Sequence, residues 1–123
     1  MILRTISIDK DGSVRIAADG PLTGRTFKGA GDNPLQALLG NGWSRRKILL
    51  DLKRADYFDS FALGWLINCH RELSSNGGIL LLHSGSQKVI QFLRLLKLEA
   101  ILPIYDSENS ARATRDRLRS HRA

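Results

Sequence analysis

The sequence predicts an α/β fold: a small mixed β-sheet of about five strands that begins with an N-terminal hairpin and is covered by about four helices. Three observations lead to this class. The chain has 123 residues, 42% of them hydrophobic and 25% charged, which suits one globular core and leaves too little surface for two. Short apolar runs alternate with longer segments of helical periodicity. Such strand–helix–strand units imply parallel strands joined by right-handed crossovers.

The N-terminal segment predicts the hairpin. Apolar residues alternate loosely over 2–8, a second apolar strand follows over 14–17, and Asp11-Gly12 between them is a turn sequence. Residues 19–34 are rich in Gly, Pro, Asp, Asn and Thr, which predicts a long irregular connection.

A short helix and a central strand come next. Asp32 or Asn33 is expected to cap a helix that has Pro34 in its first turn and ends at residues 40–42. The run over 47–52 is almost continuously apolar, which is typical of a central strand buried on both faces.

The longest helix is predicted from about Ser60 to Ser75. Its expected core stripe follows the i, i+3, i+4, i+7 spacing and consists of Ala62, Trp65, Leu66, Cys69 and Leu73. Asn76-Gly77-Gly78 should end it, and the apolar residues 79–83 predict another strand.

The C-terminal third predicts a helix, a short strand and a last helix. Ser84 and Gln87 have capping-box spacing, and the helix they open should bury Val89, Phe92, Leu93 and Leu96. Pro103 favours an edge position for a strand over 102–105, after which Asp106 or Ser107 would cap the last helix. The predicted order is therefore β-β-α-β-α-β-α-β-α.

The formal net charge of +7 is concentrated at the C-terminal end. We expect a folded domain over 1–111 and a basic helix end or tail over 112–123, where Asp116 is the one acidic residue. A basic tail can bind phosphates, but no aromatic residue is interleaved there to stack on bases. The pattern favours a solvated chain end over nucleic-acid binding. The arginines in question are Arg112, Arg115, Arg117, Arg119 and Arg122.

The sequence predicts a cytoplasmic protein without metal or cofactor. No apolar run approaches the roughly 20 residues of a membrane span, and the N-terminus lacks the zones of a signal peptide. Cys69 is a single cysteine on a core stripe, so a buried thiol is favoured. The histidines at positions 70, 83 and 121 are too scattered for metal-ligand spacing.

Three motifs that would indicate an enzyme or a nucleotide site are also absent from the sequence, although Ser, His and Asp residues for a hydrolase are present. It contains neither a P-loop nor a glycine-rich dinucleotide fingerprint. Ser60 lies between Asp59 and Phe61 rather than in a Gly-x-Ser-x-Gly nucleophile elbow. We therefore favour a binding module over an enzyme.

The candidate site is the pair Asp59-Ser60, where the longest helix begins. A helix N-terminus presents unpaired N–H groups and the positive end of the helix dipole. One of the two side chains should cap the helix, and the Ser60 hydroxyl is the better placed for it, which disfavours its phosphorylation. A phosphate added there would be stabilised by the helix but opposed by Asp59.

At these residues the chain resembles a STAS domain, the family of the bacterial anti-sigma factor antagonists. The resemblance implies a small mixed sheet covered by helices and a role in protein binding without catalysis. In a typical member, an anti-sigma factor with kinase activity binds around this helix start, phosphorylates a Ser or Thr there and is then released. The likeness is strongest from residue 48 to 111, in segments 48–52, 55–60, 62–66, 76–82, 92–98 and 102–107.

The chain departs from the family pattern at the phosphorylated position. The pattern reads Asp-Ser-Ser/Thr-Gly, with the acceptor before the glycine, whereas this chain has Phe61 and Ala62 there. The resemblance implies that Asp59, Ser60, Phe61 and Ala62 lie at the partner-binding surface, with the loop around Thr23 nearby. It also implies an anti-sigma factor or related kinase as partner, and it is compatible with a homodimer.

Two questions stay open from the sequence. Phe61 lies about 100° from the centre of the core stripe, so it either tucks under the preceding loop as core or is exposed as an apolar anchor for a partner. STAS domains also serve as accessory subunits of lipid or anion transport systems, so a transport component is an alternative partner.

Overall fold

The computed structural model describes residues 2–10, 12–22, 34–98 and 100–113. The strands are β1 (Ile2–Ile8), β2 (Ser13–Leu22), β3 (Lys47–Asp51), β4 (Ala55–Phe58), β5 (Ile79–His83) and β6 (Ile104–Tyr105). The helices are α1 (Pro34–Leu39), α2 (Ser60–Ser75), α3 (Gln87–Leu95) and α4 (108–113 within the described residues), with a 3₁₀ turn at Trp43–Arg45.

The strands form one mixed sheet in the order β1-β2-β3-β5-β6. The β1–β2 pair is antiparallel, and the remaining pairs along this path are parallel. This confirms the predicted α/β class, with its N-terminal hairpin and parallel crossovers. Strand β6 lies at the sheet edge, as the proline before it predicted.

The hairpin closes where the sequence placed its turn. The Asp9 N–H donates to the Ser13 carbonyl at 2.7 Å, and Gly12 has φ of 87°, a left-handed conformation that glycine adopts without steric cost. The irregular connection predicted from residue 19 is wrong at its start, because β2 continues to Leu22. Strand β4, which the sequence did not predict, pairs with this extension through a 2.8 Å bond from the Gly20 N–H to the Arg54 carbonyl.

Helices α2 and α3 cover one face of the sheet, which we call the helical face. The predicted stripe of α2 is confirmed, since all five of its residues are buried. Opposite it the strands contribute fully buried aliphatic side chains: Val14, Ile16, Ile48, Leu50 and Leu82. Each such side chain stabilises the fold by about 1.5–3 kcal/mol relative to exposure.

The link between α2 and β5 packs tightly against the 3₁₀ turn and the residue that follows it. A Cβ atom on Gly78 would overlap the backbone carbonyl oxygens of Ser44 and Arg46. Glycine is therefore required here for close approach of two backbones, which lets β5 follow α2 directly.

The other side of the sheet, which we call the opposite face, has a smaller apolar cluster under α4. Leu49, Leu81 and Ala111 are buried there. Ion pairs hold α4 in place: Arg15 pairs with Glu108, and Arg112 Nη2 lies 2.6 Å from Asp9 Oδ2. Arg112, the first residue of the predicted basic end, is thus bound to the hairpin, and the arginines beyond it lie outside the described residues.

The predicted start of α3 is wrong. Ser86, rather than Ser84, is the N-cap, and its side chain accepts from the Val89 N–H at 3.3 Å. The Ser84 N–H still donates to the Tyr105 carbonyl at 3.0 Å, so pairing with β6 delays the helix. Leu96 is also not part of the core, since it follows the helix end and is 45% exposed.

Candidate functional site

The site forms where β4 ends and α2 begins. Asp59 has extended backbone angles and its Oδ1 accepts a hydrogen bond from the Ala62 N–H at 2.9 Å. This is an N-cap interaction, which satisfies one of the free N–H groups of the first turn. The expectation that the Ser60 hydroxyl is the cap is wrong, because Ser60 is the first helical residue and is exposed.

Phe61 lies on the surface of this first turn. The residue is 56% exposed, which rules out the interpretation of Phe61 as a core residue. Its neighbours Ala62 and Leu63 point into the core instead, because helical periodicity turns them toward the sheet. Leaving about half of a phenylalanine in water forgoes about 1 kcal/mol of burial, so much of this residue is available at the surface.

The predicted contact of Ala62 with a binding partner disagrees with its burial. It is fully buried, because it belongs to the core stripe of α2, and its side chain cannot reach a partner. Its role at the site is structural, because its backbone N–H donates the capping hydrogen bond to Asp59 Oδ1.

The surface next to Phe61 is open. Gly64 lies three residues further along the helix, and a Cβ built there meets no atom within 4 Å. Asn68, one more turn along the same side, is exposed. Residues spaced by three and four share a helix face, so Phe61, Gly64 and Asn68 form a strip with little side-chain bulk beyond the phenylalanine.

Several predicted features fall elsewhere. Thr23 and the loop around it lie outside the described residues. Cys69 is buried and is not part of a disulfide, as its place on the stripe predicted. Within the part of the chain that the structure describes, no group of three His, Cys, Asp or Glu side chains could hold a metal ion. No helix there is long and apolar enough to cross a membrane.

The opposite face contains a cluster of charged groups whose proximity the sequence did not predict. His83 is only 3% exposed, and its Nδ1 lies 2.8 Å from the Ser84 hydroxyl. Burial lowers the pKa of His83, the nearby carboxylates of Asp51 and Glu108 oppose that shift, and Arg15 and Lys53 add to it. These residues come from separate strands, loops and a helix, so no local motif could have indicated the cluster.

These features place the protein in a structural class of small α/β domains. Its candidate site is the exposed surface at the capped start of α2. The chain belongs to the STAS domain family, whose profile matches residues 6–111. It is an anti-sigma factor antagonist-like STAS domain.

Proteins of similar sequence and structure belong to the same family. A Thermotoga maritima protein assigned to the anti-sigma factor antagonists is 40% identical over 65 residues, which make up 53% of this chain and 58% of the relative. The match therefore spans a little over half the length of that relative. A crystal structure from the same organism and class superposes with a TM-score of 0.73 at 30% identity, covering 91% of this chain and 92% of the other.

More distant structures share the fold. The STAS domain protein from Planctomyces limnophilus has a TM-score of 0.68 at 20% identity and covers 89% of this chain and 93% of its own. Unphosphorylated SpoIIAA, an anti-sigma factor antagonist, has a TM-score of 0.65 at 19% identity, with 97% and 96% covered.

Proposed function

We propose that this domain binds a regulatory protein, an anti-sigma factor or a related kinase, through the start of α2 and without catalysis of its own. The observation that carries the proposal is the 56% exposure of Phe61, at the position where the family resemblance implies a phosphorylated hydroxyl. Aromatic side chains are enriched among the residues that dominate binding energy at protein interfaces.

The geometry around Phe61 supports an anchor. Asp59 holds the first turn of α2 through its bond to the Ala62 N–H, so the phenylalanine is presented from a fixed backbone. The open surface at Gly64 leaves room for a partner to approach the ring. A rigid apolar side chain loses little conformational entropy on binding, which favours affinity.

The proposal is tested by measuring partner affinity after Phe61→Ala. The partner is first isolated from the native cell with the immobilised domain, and affinity is then measured by calorimetry. We expect at least a tenfold loss, about 1.4 kcal/mol, because the anchor is removed. Ile8→Ala is the matched control, since Ile8 is 59% exposed on β1, away from α2. Equal affinities for wild type and Phe61→Ala would contradict the proposal.

The same position determines regulation by phosphorylation. Phenylalanine has no hydroxyl, and a phosphate on Ser60 would be opposed by the adjacent Asp59. We therefore expect a cognate kinase and ATP to leave the wild type unmodified while modifying Phe61→Ser at the restored hydroxyl, as measured by intact-protein and peptide mass spectrometry. A stoichiometric phosphate on Ser60 of the wild type would show that a switch remains.

A further inference from the structure

Exposed apolar side chains gather at one edge of the sheet, where the parallel strands begin and which we call the starting edge. The parallel register aligns the starts of β2, β3 and β5, and α3 returns the chain to the same edge before β6. Of the seven large hydrophobic residues that are exposed in the described part of the chain, four lie at this edge: Ile8, Leu95, Leu96 and Ile101. Apolar side chains scattered singly are ordinary, whereas a group of them on one surface indicates an interaction site.

The turn after α3 presents its apolar side chains on a closed backbone. The Lys97 N–H donates to the Arg94 carbonyl at 3.0 Å. The Leu98 N–H donates to the Leu93 carbonyl at 2.9 Å, and the Leu98 carbonyl accepts from the Ile101 N–H at 3.0 Å. Because these backbone groups are paired internally, the turn can leave water without exposing them unpaired to an apolar medium, where each would cost several kcal/mol.

Basic residues accompany the apolar side chains along the starting edge. They are Lys10, Arg45, Arg46, Lys47, Arg94 and Lys97. Among the acidic residues, Asp9 is paired with Arg112 at 2.6 Å, Glu72 is exposed on α2, and Asp11 and Glu99 lie outside the described residues. The edge therefore has an excess of positive charge, and the formal net charge of +7 adds attraction to anionic surfaces at longer range.

These groups form a row along the edge of the sheet. The hairpin turn lies beside the start of β2, the 3₁₀ turn beside β3, and the turn after α3 beside β6. From β2 to β6 the sheet has three strand spacings of about 4.8 Å each, so the row extends over about 14 Å. A row of apolar and basic side chains on this scale suits a flat anionic surface.

We propose that the starting edge docks on an anionic lipid bilayer. Leu95, which is 78% exposed, and Ile101 enter the boundary between headgroups and acyl chains, as the apolar side chains of interfacial segments do. The lysines and arginines contact the lipid phosphates. Lipid is favoured over nucleic acid because the exposed apolar side chains at this edge are aliphatic and do not stack on bases.

This surface is separate from the protein-binding surface proposed above. Helix α2 begins after β4, at the edge where the parallel strands end, whereas α3 ends at the starting edge. Phe61 and Leu95 therefore lie at opposite edges of the sheet, and a domain docked on lipid keeps the start of α2 accessible.

The first test measures binding to vesicles by sedimentation at about 0.15 M salt. The vesicles contain phosphatidylcholine alone or with about one-third phosphatidylglycerol. We expect the wild type to bind the anionic vesicles at least tenfold more strongly. Leu95→Ser with Ile101→Ser should lower that binding at least tenfold, because the inserting groups are lost from positions that are already exposed. Phe61→Ser, which removes an exposed apolar side chain at the other edge, should bind vesicles like the wild type.

A second pair of variants separates local charge from net charge. Arg45→Gln with Lys97→Gln removes two charges from the starting edge and should weaken binding at least tenfold. Lys53→Gln with Lys88→Gln removes two charges from the other edge and should weaken binding by less than about threefold. The basic chain end over 112–123 is unchanged in both variants, so its arginines do not cause the difference.

Three results would overturn the proposal. The wild type does not prefer anionic vesicles, Leu95→Ser with Ile101→Ser binds them like the wild type, or the two charge variants weaken binding equally. Stronger binding of a short DNA duplex than of anionic vesicles, with the same dependence on Arg45 and Lys97, would assign the edge to nucleic acid instead. Circular dichroism and thermal unfolding confirm that each variant is folded before its binding is compared.

Discussion

The two faces of the sheet are built by different interactions. On the helical face, α2 and α3 bury a continuous set of aliphatic and aromatic side chains. On the opposite face, a small apolar cluster is bordered by ion pairs, a buried histidine and a charged groove. Hydrophobic burial is non-directional and tolerant, whereas charged groups need partners in particular places. The contrast indicates that the helical face provides most of the stability and the opposite face provides specific polar interactions.

The sharpest test of this contrast is cavity formation on each face. Leu66 is fully buried on α2 and Leu49 is almost fully buried under α4. We expect Leu66→Ala to lower the free energy of unfolding by about 3–4 kcal/mol, and Leu49→Ala by about 2 kcal/mol because its cluster is smaller. Chemical denaturation followed by circular dichroism measures both.

Leu95→Ala serves as the control for these substitutions. Leu95 is 78% exposed, so its truncation should change stability by no more than about 0.5 kcal/mol. If Leu49→Ala lowers the free energy of unfolding as much as Leu66→Ala, the two faces contribute equally to stability. That result would contradict the contrast drawn above.

A smaller effect is expected at the start of α2. Asp59→Ala removes the cap on the Ala62 N–H and should cost about 1 kcal/mol, measured by the same denaturation. Ser60→Ala, the matched control one residue on, should stay within about 0.5 kcal/mol because Ser60 is exposed and is not the cap. A larger loss of stability for Ser60→Ala than for Asp59→Ala would show that Ser60, and not Asp59, caps the helix.

The smallest effect concerns pH and the opposite face. The pKa of His83 is lowered by burial, so in acid the unfolded chain binds a proton that the folded chain does not. Stability should therefore fall as pH decreases from the ordinary value of 6.5 toward the lowered one, and should level off below it. At pH values more than about one unit above 6.5, both states hold neutral histidine, and His83 causes no dependence there.

His83→Asn isolates that contribution, since it removes the titrating ring while retaining a polar side chain for Ser84. The difference in unfolding free energy between wild type and variant is measured from pH 7.5 to pH 5. As the pH falls, the wild type should lose stability relative to His83→Asn. A constant difference across this range would show that His83 titrates alike in both states.

Much of the fold followed from local sequence. Helix α2 was predicted with its bounds, its stripe and its end, because a strong 3.6-residue pattern and a glycine stop act within a few turns. The hairpin turn and the edge position of β6 rested equally on local residues. In contrast, β4, the extension of β2 and the late start of α3 depend on pairing between distant segments, which overrides local turn and capping signals.

The candidate site divides in the same way. The sequence by itself determined that a polar pair opens α2 and that a phenylalanine, Phe61, follows it, since both are properties of residue order. Only the tertiary structure decided that Asp59 is the cap, that Phe61 is exposed and that Ala62 is buried. The physical reason is that exposure and partner choice depend on which neighbouring elements cover a side chain. That same dependence joins Arg4, Asp19 and Lys53, from distant parts of the chain, around one groove of mixed charge.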